Sequence, residues 1–306
     1  MSSPGISVII VSYNAFEYLD KCISSLLLQK GVDIEIIVVD NNSTDGTVGL
    51  LKDKYPGIKL FPSSINLGFS AGNNLGIKEA TKDVVLLLNP DTELPESNTL
   101  VKMRDYLITN PATGIVAPYL LNTDGSFQSS FWNFPSASDI LFEMLYLHRI
   151  QKQNPPLSPR PVQAASGAAL CLTKQLADEL HGLDVNMFWM EDTDLCYRAT
   201  QLGKQVVYNP ELKIIHHGGK SSVNNYSISI PNQVMSKVKY FKKNSSWLTF
   251  ITSDILTFFF ILSRLIVFTL LSLSINKMFK LKTKAYFITL KRYFSFNFIG
   301  NKEIIR

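Results

Sequence analysis

Acidic side chains that follow apolar runs are the residues of this sequence best suited to chemistry. Asp91 follows the apolar run 84–88, which is typical of a strand buried on both faces of a sheet. In an open α/β sheet, ligands bind just beyond the carboxyl ends of such strands. A carboxylate there can bind a divalent cation, and the cation can neutralise a diphosphate. The segment Asn89-Pro90-Asp91 is also typical of an ordinary turn, and this segment alone leaves both interpretations open.

Two earlier apolar runs also end in polar residues. Residues 6–11 are followed by Ser12, and the run that begins at Ile34 ends at Asp40. Helices are predicted between the strands, at residues 16–29, 47–55 and 70–82. This βαβαβ order predicts a parallel sheet with right-handed crossovers, so the polar strand ends should share one edge. The sequence contains neither a Gly-x-Gly-x-x-Gly after the first strand nor a Gly-Lys-Ser/Thr loop, which disfavours dinucleotide and P-loop sites. Strand-end acids instead suit a nucleoside and a metal-bound diphosphate.

A second group of acids opens a predicted helix of about a dozen residues, which ends near Gly203. The acids are Glu191, Asp192 and Asp194. Carboxylates are stabilised at a helix N-terminus by the helix dipole and by unpaired N–H groups, so a capping cluster explains them structurally. We expect a structural contribution from Glu191 and Asp194.

Two further segments have both a chemical and a structural interpretation. His216 and His217 follow the short apolar strand 212–215, and imidazole can complete a metal site, although an adjacent pair is also common in polar loops. The small residues Ser166 to Ala169 lie beside a predicted strand, where core packing alone would explain them.

These motifs resemble those of the family 2 glycosyltransferases of the GT-A fold, and among them the bacterial rhamnosyltransferase-like members that build surface polysaccharides. The resemblance covers roughly residues 5–245, and its motifs occur in the family's order. It rests on residues 11–14, 39–46, 66–76, 89–92, 166–169 and 191–195. These motifs identify the family and leave the sugar open.

The resemblance implies a role for each matching residue. Asp91 would bind a divalent metal, Mg²⁺ or Mn²⁺, with His216 as an additional metal or diphosphate ligand, although Asn89 stands where many relatives have the first acid of an Asp-x-Asp motif. Asp192 would be the general base, with Glu191 beside it in the catalytic segment, and Asp40 would contact the nucleotide base. The substrate-binding residues implied by the resemblance are Ser12, Tyr13, Asn14, Asp40, Asn42, Asn66, Gly68, Asn73, Asn89, Gly167, Ala168 and Trp189.

Length and composition fit one α/β domain with an appendage. The 306 residues are 46% hydrophobic, which permits a sizeable core. We expect a catalytic domain at residues 1–236 and a helical tail at residues 237–306. Three scattered cysteines without metal-ligand spacing indicate a reducing compartment, and the early first strand leaves no room for a secretory signal.

Charge divides the chain at the same place. Residues 237–306 carry 13 Lys and Arg against 2 acids, whereas residues 1–236 carry 17 against 23. The basic character therefore belongs to the tail, which argues against nucleic acid as a partner and predicts contact with an anionic surface.

The tail contains an apolar segment, residues 255–275, that is long enough to span a bilayer. Lysines flank it on both sides, so the positive-inside bias draws both ends to the cytoplasmic side. Residues 285–300 are too short to cross and are rich in aromatic residues. We therefore expect a monotopic anchor of interfacial or re-entrant helices on the cytoplasmic face of the bacterial inner membrane. Packing on the catalytic domain, or a homodimer interface, is the alternative.

The resemblance predicts an inverting glycosyltransferase that uses a nucleotide-diphosphate sugar and a lipid-linked or growing glycan acceptor. L-Rhamnose on dTDP is the first donor to test. A sugar nucleotidyltransferase would need a basic triphosphate loop near the N-terminus, which the sequence lacks. A non-catalytic glycan-binding scaffold of the same fold is disfavoured because Asp91 and Asp192 are both present.

Overall fold

The computed structural model describes residues 4–145, 155–218, 225–273 and 276–298. The strands are β1 (Ile6–Ser12), β2 (Ile34–Asp40), β3 (Lys59–Pro62), β4 (Val84–Leu88), β5 (Thr92–Glu93), β6 (Thr113–Leu121), β7 (Phe127–Gln128), β8 (Phe131–Trp132), β9 (Arg160–Val162), β10 (Ala164–Ala165), β11 (Ala169–Thr173) and β12 (Gln205–His216). The helices are α1 (Phe16–Leu27), α2 (Thr47–Lys54), α3 (Gly68–Glu79), α4 (Thr99–Thr109), α5 (Ala137–Met144), α6 (Lys174–Glu179), α7 (Glu191–Gln201), α8 (Tyr226–Asn244), α9 (Trp247–Leu271) and α10 (Lys277–Phe298).

The prediction of a mostly parallel open α/β sheet flanked by helices is confirmed as to fold class, and the sheet also contains antiparallel strands. Its main strand order is β3-β2-β1-β4-β11-β6-β12-β5. Strands β3, β2, β1 and β4 are parallel, as the βαβαβ order predicted. Strand β11 runs antiparallel to both neighbours, β4 and β6. It therefore brings the residues before it, Gly167 and Ala168, to the carboxyl end of β4.

Apolar residues of the central strands are buried on both faces, which explains their unbroken hydrophobic runs. In β1, Val8 and Ile10 belong to one core cluster, and Ile9 belongs to the cluster on the other face. The three cysteines are free and buried, and burial raises the pKa of Cys22 and Cys196 to about 12. Their thiols are therefore packing groups of the core.

Helix α3 approaches β1 closely because two of its glycines face that strand. A Cβ on Gly76 would lie 2.3 Å from Cγ2 of Ile9, and one on Gly72 would lie 2.8 Å from Cγ1 of Val11. The helix begins at Gly68, earlier than the predicted Ser70, because Gly68 adopts a φ of 79° and its N–H donates to Oδ1 of Asn66 at 2.9 Å. These glycines therefore fix how closely α3 and the end of β1 approach.

We expect Gly76→Ala to destabilise the protein by about 1–3 kcal/mol, because the methyl group would overpack the contact with Ile9. Gly49→Ala is the matched control, since a Cβ on this glycine of α2 meets nothing within 4 Å. There the higher helix propensity of alanine should stabilise by up to about 1 kcal/mol. Urea unfolding of the two variants decides the point, and equal effects would contradict the packing argument.

The chain divides into two compact units. The sheet unit comprises Met1–Phe134, Gln153–Asn186 and Glu191–Gly218, and the helical unit comprises Pro135–Lys152, Met187–Met190 and Gly219–Arg306. The expected division between residues 236 and 237 falls inside the continuous helix α8. The basic residues that begin at Lys237 thus change the surface charge along one helix and do not mark the boundary between the two units.

Helices α8, α9 and α10 of the helical unit share a small core of their own. Its buried members include Val234, Val238, Ile261 and Tyr293. Helix α9 is long and apolar enough to cross a bilayer by length and composition, with a mean hydropathy of 2.1 over its most apolar window. Only 17% of that window is buried, so most of its apolar surface faces away from this core.

Candidate active site

The residues after β4 form a turn that is held rigidly in place. The hydroxyl of Thr92 donates to the carbonyl oxygen of Asn89 at 2.7 Å and closes the turn. The N–H of Asn89 donates to the carbonyl oxygen of Ala168 at 2.9 Å. The ordinary turn that the sequence suggested is therefore present, and it presents the Asp91 side chain, which is 21% exposed.

His216 lies beside Asp91 because β12 pairs with β5. In this antiparallel ladder His216 is opposite Thr92, the residue after Asp91. The Nε2 atom of His216 lies 3.3 Å from Oδ1 of Asp91. Two residues that are distant in sequence and were assigned to one metal site thus share one end of the sheet.

Gln128 fixes the tautomer of His216. The amide nitrogen of Gln128 donates to Oδ1 of Asn122 at 2.9 Å and to the carbonyl oxygen of His216 at 3.3 Å. Its amide oxygen therefore faces Nδ1 of His216, 2.6 Å away, and accepts the proton of that nitrogen. The lone pair of Nε2 is left facing the Asp91 carboxylate. Histidines that bind metals commonly donate their second ring nitrogen to such an acceptor.

This arrangement fits a divalent cation. Two acceptors face each other across 3.3 Å, close to the roughly 3 Å expected between adjacent ligands of an octahedral ion with bonds of about 2.1 Å. The amide nitrogen of Asn89 lies 3.4 Å from Nε2 of His216, too far for a strong hydrogen bond, and borders the same site. Over the residues described, no three His, Cys, Asp or Glu side chains gather into a metal cluster. Water and ligand oxygens would therefore complete the coordination.

His217 has a different environment from that of His216. Its Nε2 lies 2.6 Å from Oε1 of Glu93, and its ring packs against Tyr18 with the centroids 5.3 Å apart. Its N–H donates to the carbonyl oxygen of Asp91 at 2.9 Å. His217 thus stabilises the turn that contains Asp91 through its contacts with Glu93, Tyr18 and the Asp91 backbone. The residues Gly219 and Lys220, which come shortly after the histidine pair, lie outside the described residues.

Asp192 occupies the first turn of α7 and is held by the loop before β11. Its Oδ2 accepts the N–H of Gly167 at 2.9 Å, and its Oδ1 accepts the N–H of Thr193 at 2.6 Å. Burial raises the pKa of the Asp192 carboxyl, and these backbone hydrogen bonds oppose the shift. A partly buried carboxylate with a raised pKa is a stronger base than an exposed one.

The loop of Gly167 and Ala168 joins the two centres. Gly167 donates to Asp192, and the next residue, Ala168, accepts from Asn89 in the turn that presents Asp91. A Cβ on Gly167 would come within 3.3 Å of Cβ of Asp192, so a side chain here would crowd the carboxylate. The absence of a side chain thus keeps the approach to Asp192 clear.

Asp194 has the structural role that the sequence suggested for it. It is fully buried and pairs with Nε of Arg198 at 2.7 Å, one turn along α7. Arg198 also donates to the carbonyl oxygens of Leu180 and Gly182. Glu191 occupies the N-terminal position of the same helix and is half-buried.

Buried polar atoms collect at the ends of β1 and β2 and at the start of α3. Oδ2 of Asp40 accepts the N–H of Ser43 at 2.9 Å. Four other side-chain oxygens are buried and have no hydrogen-bond partner within the described ranges: Oγ of Ser12, Oδ1 of Asp40, Oδ1 of Asn41 and Oγ of Ser70. Because unpaired buried polar atoms are costly, their accumulation indicates a place prepared for a polar ligand.

Asn14 ties the loop after β1 to the loop after β2. Its N–H donates to Oγ of Ser43 at 2.9 Å, and its Oδ1 accepts the N–H of Thr44 at 2.8 Å. Asn14 and Asn42 both have positive φ angles, 49° and 64°. Tyr13, the residue before Asn14, is 52% exposed, so its ring is available to a ligand.

The other predicted substrate residues divide into three groups. The side chain of Asn66 caps Gly68 at the start of α3. Asn73 is buried, and its amide donates to the carbonyl oxygen of Phe69 in its own helix, 2.9 Å away. Trp189 belongs to the helical unit, although it stands only three residues before Asp192 in sequence. The described contacts bring Asn66 and Gly68 to the strand ends and leave Asn73 in the core.

Three contributors to this site were not predicted. Gln128 lies in the two-residue strand β7, Asn41 follows Asp40, and Thr193 accepts the indole N–H of Trp132 at 3.0 Å. Asn41 could have been found from its position after β2. Gln128 carries no sequence signal, because its role depends on a contact across 88 residues.

Comparison with known proteins supports the resemblance. The profile described as Glycosyl transferase family 2 matches residues 7–161. The chain is 26% identical over 238 residues to an N-acetylglucosaminyl-diphospho-decaprenol L-rhamnosyltransferase of Mycobacterium tuberculosis, covering 70% of this chain and 76% of the relative. It is 28% identical over 200 residues to a low-salt glycan biosynthesis hexosyltransferase of Haloferax volcanii, covering 63% and 61%.

A solved structure resembles the fold over nearly the whole chain. It is a mannosyltransferase of Pyrobaculum calidifontis in complex with GDP-Man and Mn²⁺, with a TM-score of 0.59 and 14% identity. The match covers 98% of this chain and 89% of the other. The predicted GT-A-type fold is thereby confirmed.

Proposed function

Because this chain belongs to glycosyl transferase family 2, we propose that it is an inverting enzyme that transfers a sugar from a nucleotide-diphosphate donor to a lipid-linked or growing glycan. Sugar transfer follows from the family, whereas the donor, the acceptor and the stereochemistry are the substance of the proposal. Family membership favours sugar transfer over nucleotidyl transfer.

The loop of Gly167 and Ala168 is the observation that carries this proposal. It hydrogen-bonds to Asp192 on one side and to the turn that presents Asp91 on the other. A group that removes a proton and a group that holds a diphosphate must both reach the same anomeric carbon. A single two-residue loop that fixes both supports their joint action, because orientation of reacting groups supplies much of the rate.

Asp91 and His216 would hold the divalent cation, with the Asn89 amide beside them. When bound, the cation would neutralise the charge that develops on the departing nucleoside diphosphate. Gln128 keeps the His216 ring oriented and keeps the Nε2 lone pair directed at Asp91. Glu93 and Tyr18, through His217, keep the turn from shifting.

Asp192 would act as the general base. Its carboxylate removes the proton from the acceptor hydroxyl as that oxygen attacks the anomeric carbon, and the bond to the diphosphate breaks. A single displacement inverts the configuration of that carbon. The hydrogen bonds from Gly167 and Thr193 hold the carboxylate in one orientation, so that it meets the hydroxyl without rearrangement.

The unpaired oxygens of Ser12, Asp40, Asn41 and Ser70 support a nucleoside site at the strand ends. Oδ1 atoms of Asp40 and Asn41 can only accept hydrogen bonds, so they favour a base or ribose that presents N–H or O–H groups. The exposed ring of Tyr13 is suited to stack on the base.

Relatives suggest which donor and acceptor to test first. The mycobacterial relative is named for transfer of L-rhamnose to a diphospho-decaprenol carrier. We therefore propose dTDP-L-rhamnose as the first donor and a polyprenyl-diphosphate glycan as the acceptor. Incubation of the purified protein with a panel of nucleotide sugars, with and without Mg²⁺ or Mn²⁺, tests this. Release of nucleoside diphosphate from one donor supports the proposal, and release from none overturns it.

His216→Ala should raise the metal concentration required for donor binding by about 10–100-fold, since it removes one of two protein ligands. His217→Ala is the matched control and should have a smaller effect, because its Nε2 is engaged by Glu93. Titrating metal against nucleoside diphosphate binding measures both. A larger effect at His217 would reverse the assignment within the pair.

We propose further that the tail holds the enzyme at the cytoplasmic face of the bacterial inner membrane as a monotopic anchor. Helix α9 exposes large apolar side chains, including Trp247, Leu248 and Leu270. Lys277, Lys280 and Lys284 of α10 are exposed and can meet anionic headgroups. Apolar burial and charge attraction together give stable attachment where either alone is marginal.

Replacing Lys277, Lys280 and Lys284 by glutamine should weaken binding to anionic vesicles by about 3 kcal/mol, or roughly 100-fold, at about 1 kcal/mol for each charge. In the matched control, glutamine replaces the exposed lysines of the sheet unit, Lys21, Lys52 and Lys78. Vesicle flotation compares the two triple variants. Equal flotation would overturn the anchor, and helix packing or a homodimer interface would then explain the tail.

A further inference from the structure

The helical unit contains a cavity of about 310 Å³ that is open to solvent. Residues of α5, α8, α9, α10 and the segment 187–190 line it. Most of its wall is apolar and comes from Ile140, Trp189, Met190, Ile230, Val234 and Phe260. The volume lies at the lower end of the range of about 300–1,000 Å³ that is typical of ligand pockets. It therefore admits part of a long apolar molecule.

One side of the cavity carries an excess of positive charge. Nζ of Lys237 lies 2.7 Å from Oε1 of Glu143, and both residues line the cavity. Arg264 donates to the carbonyl oxygen of Glu143 and stacks on Phe260, with its guanidinium carbon 5.1 Å from the ring centroid. Lys237 thus lies at the carboxylate of Glu143 and Arg264 at its backbone carbonyl, so two cations lie near one acid beside an apolar wall. This combination complements an apolar chain that ends in an anionic group.

Trp189, which lines the cavity, has a strained backbone conformation. Its φ of 93° is unusual for a residue with a side chain. The neighbouring residue Phe188 is hydrogen-bonded to α8. The N–H of Phe188 donates to Oγ of Ser236 at 3.3 Å, and this hydroxyl donates to the carbonyl oxygen of Phe188. Strained conformations persist where surrounding structure enforces them, often at ligand sites. The adjoining Met190 also lines the cavity and is bonded directly to Glu191, which begins the helix of Asp192.

We propose that this cavity binds the first isoprene units of a polyprenyl diphosphate that carries the acceptor glycan. The inference rests on the proposed function for its choice of lipid. The apolar wall receives the chain, and Lys237 in the lining, with Arg264 on the other side of Glu143, attracts the diphosphate. Trp189 and Met190 stand two and one residues before the segment that carries the proposed base, so the occupant is a reaction partner rather than a bulk membrane lipid.

Photolabelling of the unmodified full-length protein tests the proposal directly. A benzophenone derivative of farnesyl diphosphate is the probe. Label is expected in peptides that contain residues 187–190 and 230–237, and unlabelled farnesyl diphosphate should suppress it at least tenfold. Inorganic diphosphate and lysophosphatidylglycerol at the same concentration should not. Label elsewhere, or equal suppression by the lysolipid, would overturn the proposal in favour of a general lipid slot.

Two variants of α8 form a matched pair. Ile230 lines the cavity, whereas Ile228, two residues earlier on the same helix, is 50% exposed. Ile230→Trp fills the cavity and should reduce labelling at least tenfold, and Ile228→Trp should leave it unchanged. Equal labelling of the two folded variants would contradict the site. Should Ile230→Trp fail to fold, the labelled peptides of the unmodified protein decide.

Donor binding separates this inference from the proposed function. Ile230→Trp should bind the nucleotide sugar as the unmodified protein does, because no residue assigned to the donor is altered. If the unmodified protein binds no nucleotide sugar yet is labelled in the two peptides, the proposed function fails and the isoprenoid cavity stands. If it binds a nucleotide sugar and is not labelled there, the cavity proposal fails alone.

Discussion

Asp192→Asn is expected to slow transfer by about 100- to 10,000-fold, the range that general-base catalysis contributes. Asparagine matches the shape of aspartate and can still accept one of the two backbone hydrogen bonds, from Gly167 or from Thr193. The fold and the affinity for the donor should therefore remain nearly intact. Calorimetric titration with the donor and single-turnover transfer rates measure the two effects separately. Transfer within tenfold of the unmodified enzyme would remove Asp192 from the role of base.

The pH dependence of transfer provides a second measurement of the same role. Burial raises the pKa of the Asp192 carboxyl above its ordinary value of 3.8. A base acts only when it is deprotonated, so the rate at saturating donor should fall as the pH falls through the raised pKa. The acid limb is thus expected above the pH range where an exposed aspartate titrates. An acid limb near 3.8 would show that the reacting base is an exposed group.

Asp91→Asn is expected to impair donor binding, the step that precedes transfer. It removes the carboxylate assigned to the proposed metal site, and the affinity for nucleoside diphosphate in the presence of Mn²⁺ should fall by about 100-fold or more. Without metal, the affinities of the variant and the unmodified protein should be similar. Transfer should be lost in parallel with donor binding, whereas the Asp192 variant loses transfer alone.

Asp53→Asn is the control for Asp91→Asn, since Asp53 is exposed on α2 of the same unit. It changes the net charge equally and should leave metal-dependent binding unchanged. If the Asp91 and Asp192 variants lose donor affinity to the same extent, the division of roles between these two carboxylates is wrong. If Asp53→Asn has the same effect as Asp91→Asn, general electrostatic attraction explains the binding.

The strand ends could be predicted from the sequence because local pattern determines them. Unbroken apolar runs before Ser12, Asp40 and Asn89 are buried in β1, β2 and β4, as their composition requires. Parallel pairing then places Ser12 opposite Asp40 in register. The position of Asp91 at the edge of the sheet follows from the same rule.

Long-range pairing could not be predicted in the same way. The contact of His216 with Asp91 depends on β12 meeting the two-residue strand β5, and the tautomer of His216 depends on Gln128 in β7, which is equally short. Strands of two residues have no periodicity to detect. Register between distant segments is set by the packed sheet as a whole.

Two parts of the fold follow packing rather than position in the sequence. Trp189, a substrate-binding residue implied by the resemblance, stands three residues before Asp192, yet Phe188 and its neighbours pack with α8 through Ser236. The division at residue 237 followed the onset of lysines, yet α8 begins at Tyr226 and continues through it. The charge of a segment indicates what its exposed surface contacts, whereas its apolar contacts determine the structural unit to which it belongs.

Because the ribosome synthesises the chain from its N-terminus, the hydrogen bonds between Phe188 and Ser236 can form only late in synthesis. Residues 187–190 emerge roughly 50 residues before α8 is complete at Asn244. At about 5–20 residues per second, the nascent chain carries Phe188 and Trp189 without their helix for several seconds. The segment before Glu191 can therefore reach its final conformation only after the whole sheet unit, which ends at Gly218, has been synthesised. A stop codon that truncates α8 would leave both aromatic side chains permanently without that support and expose them to chaperones.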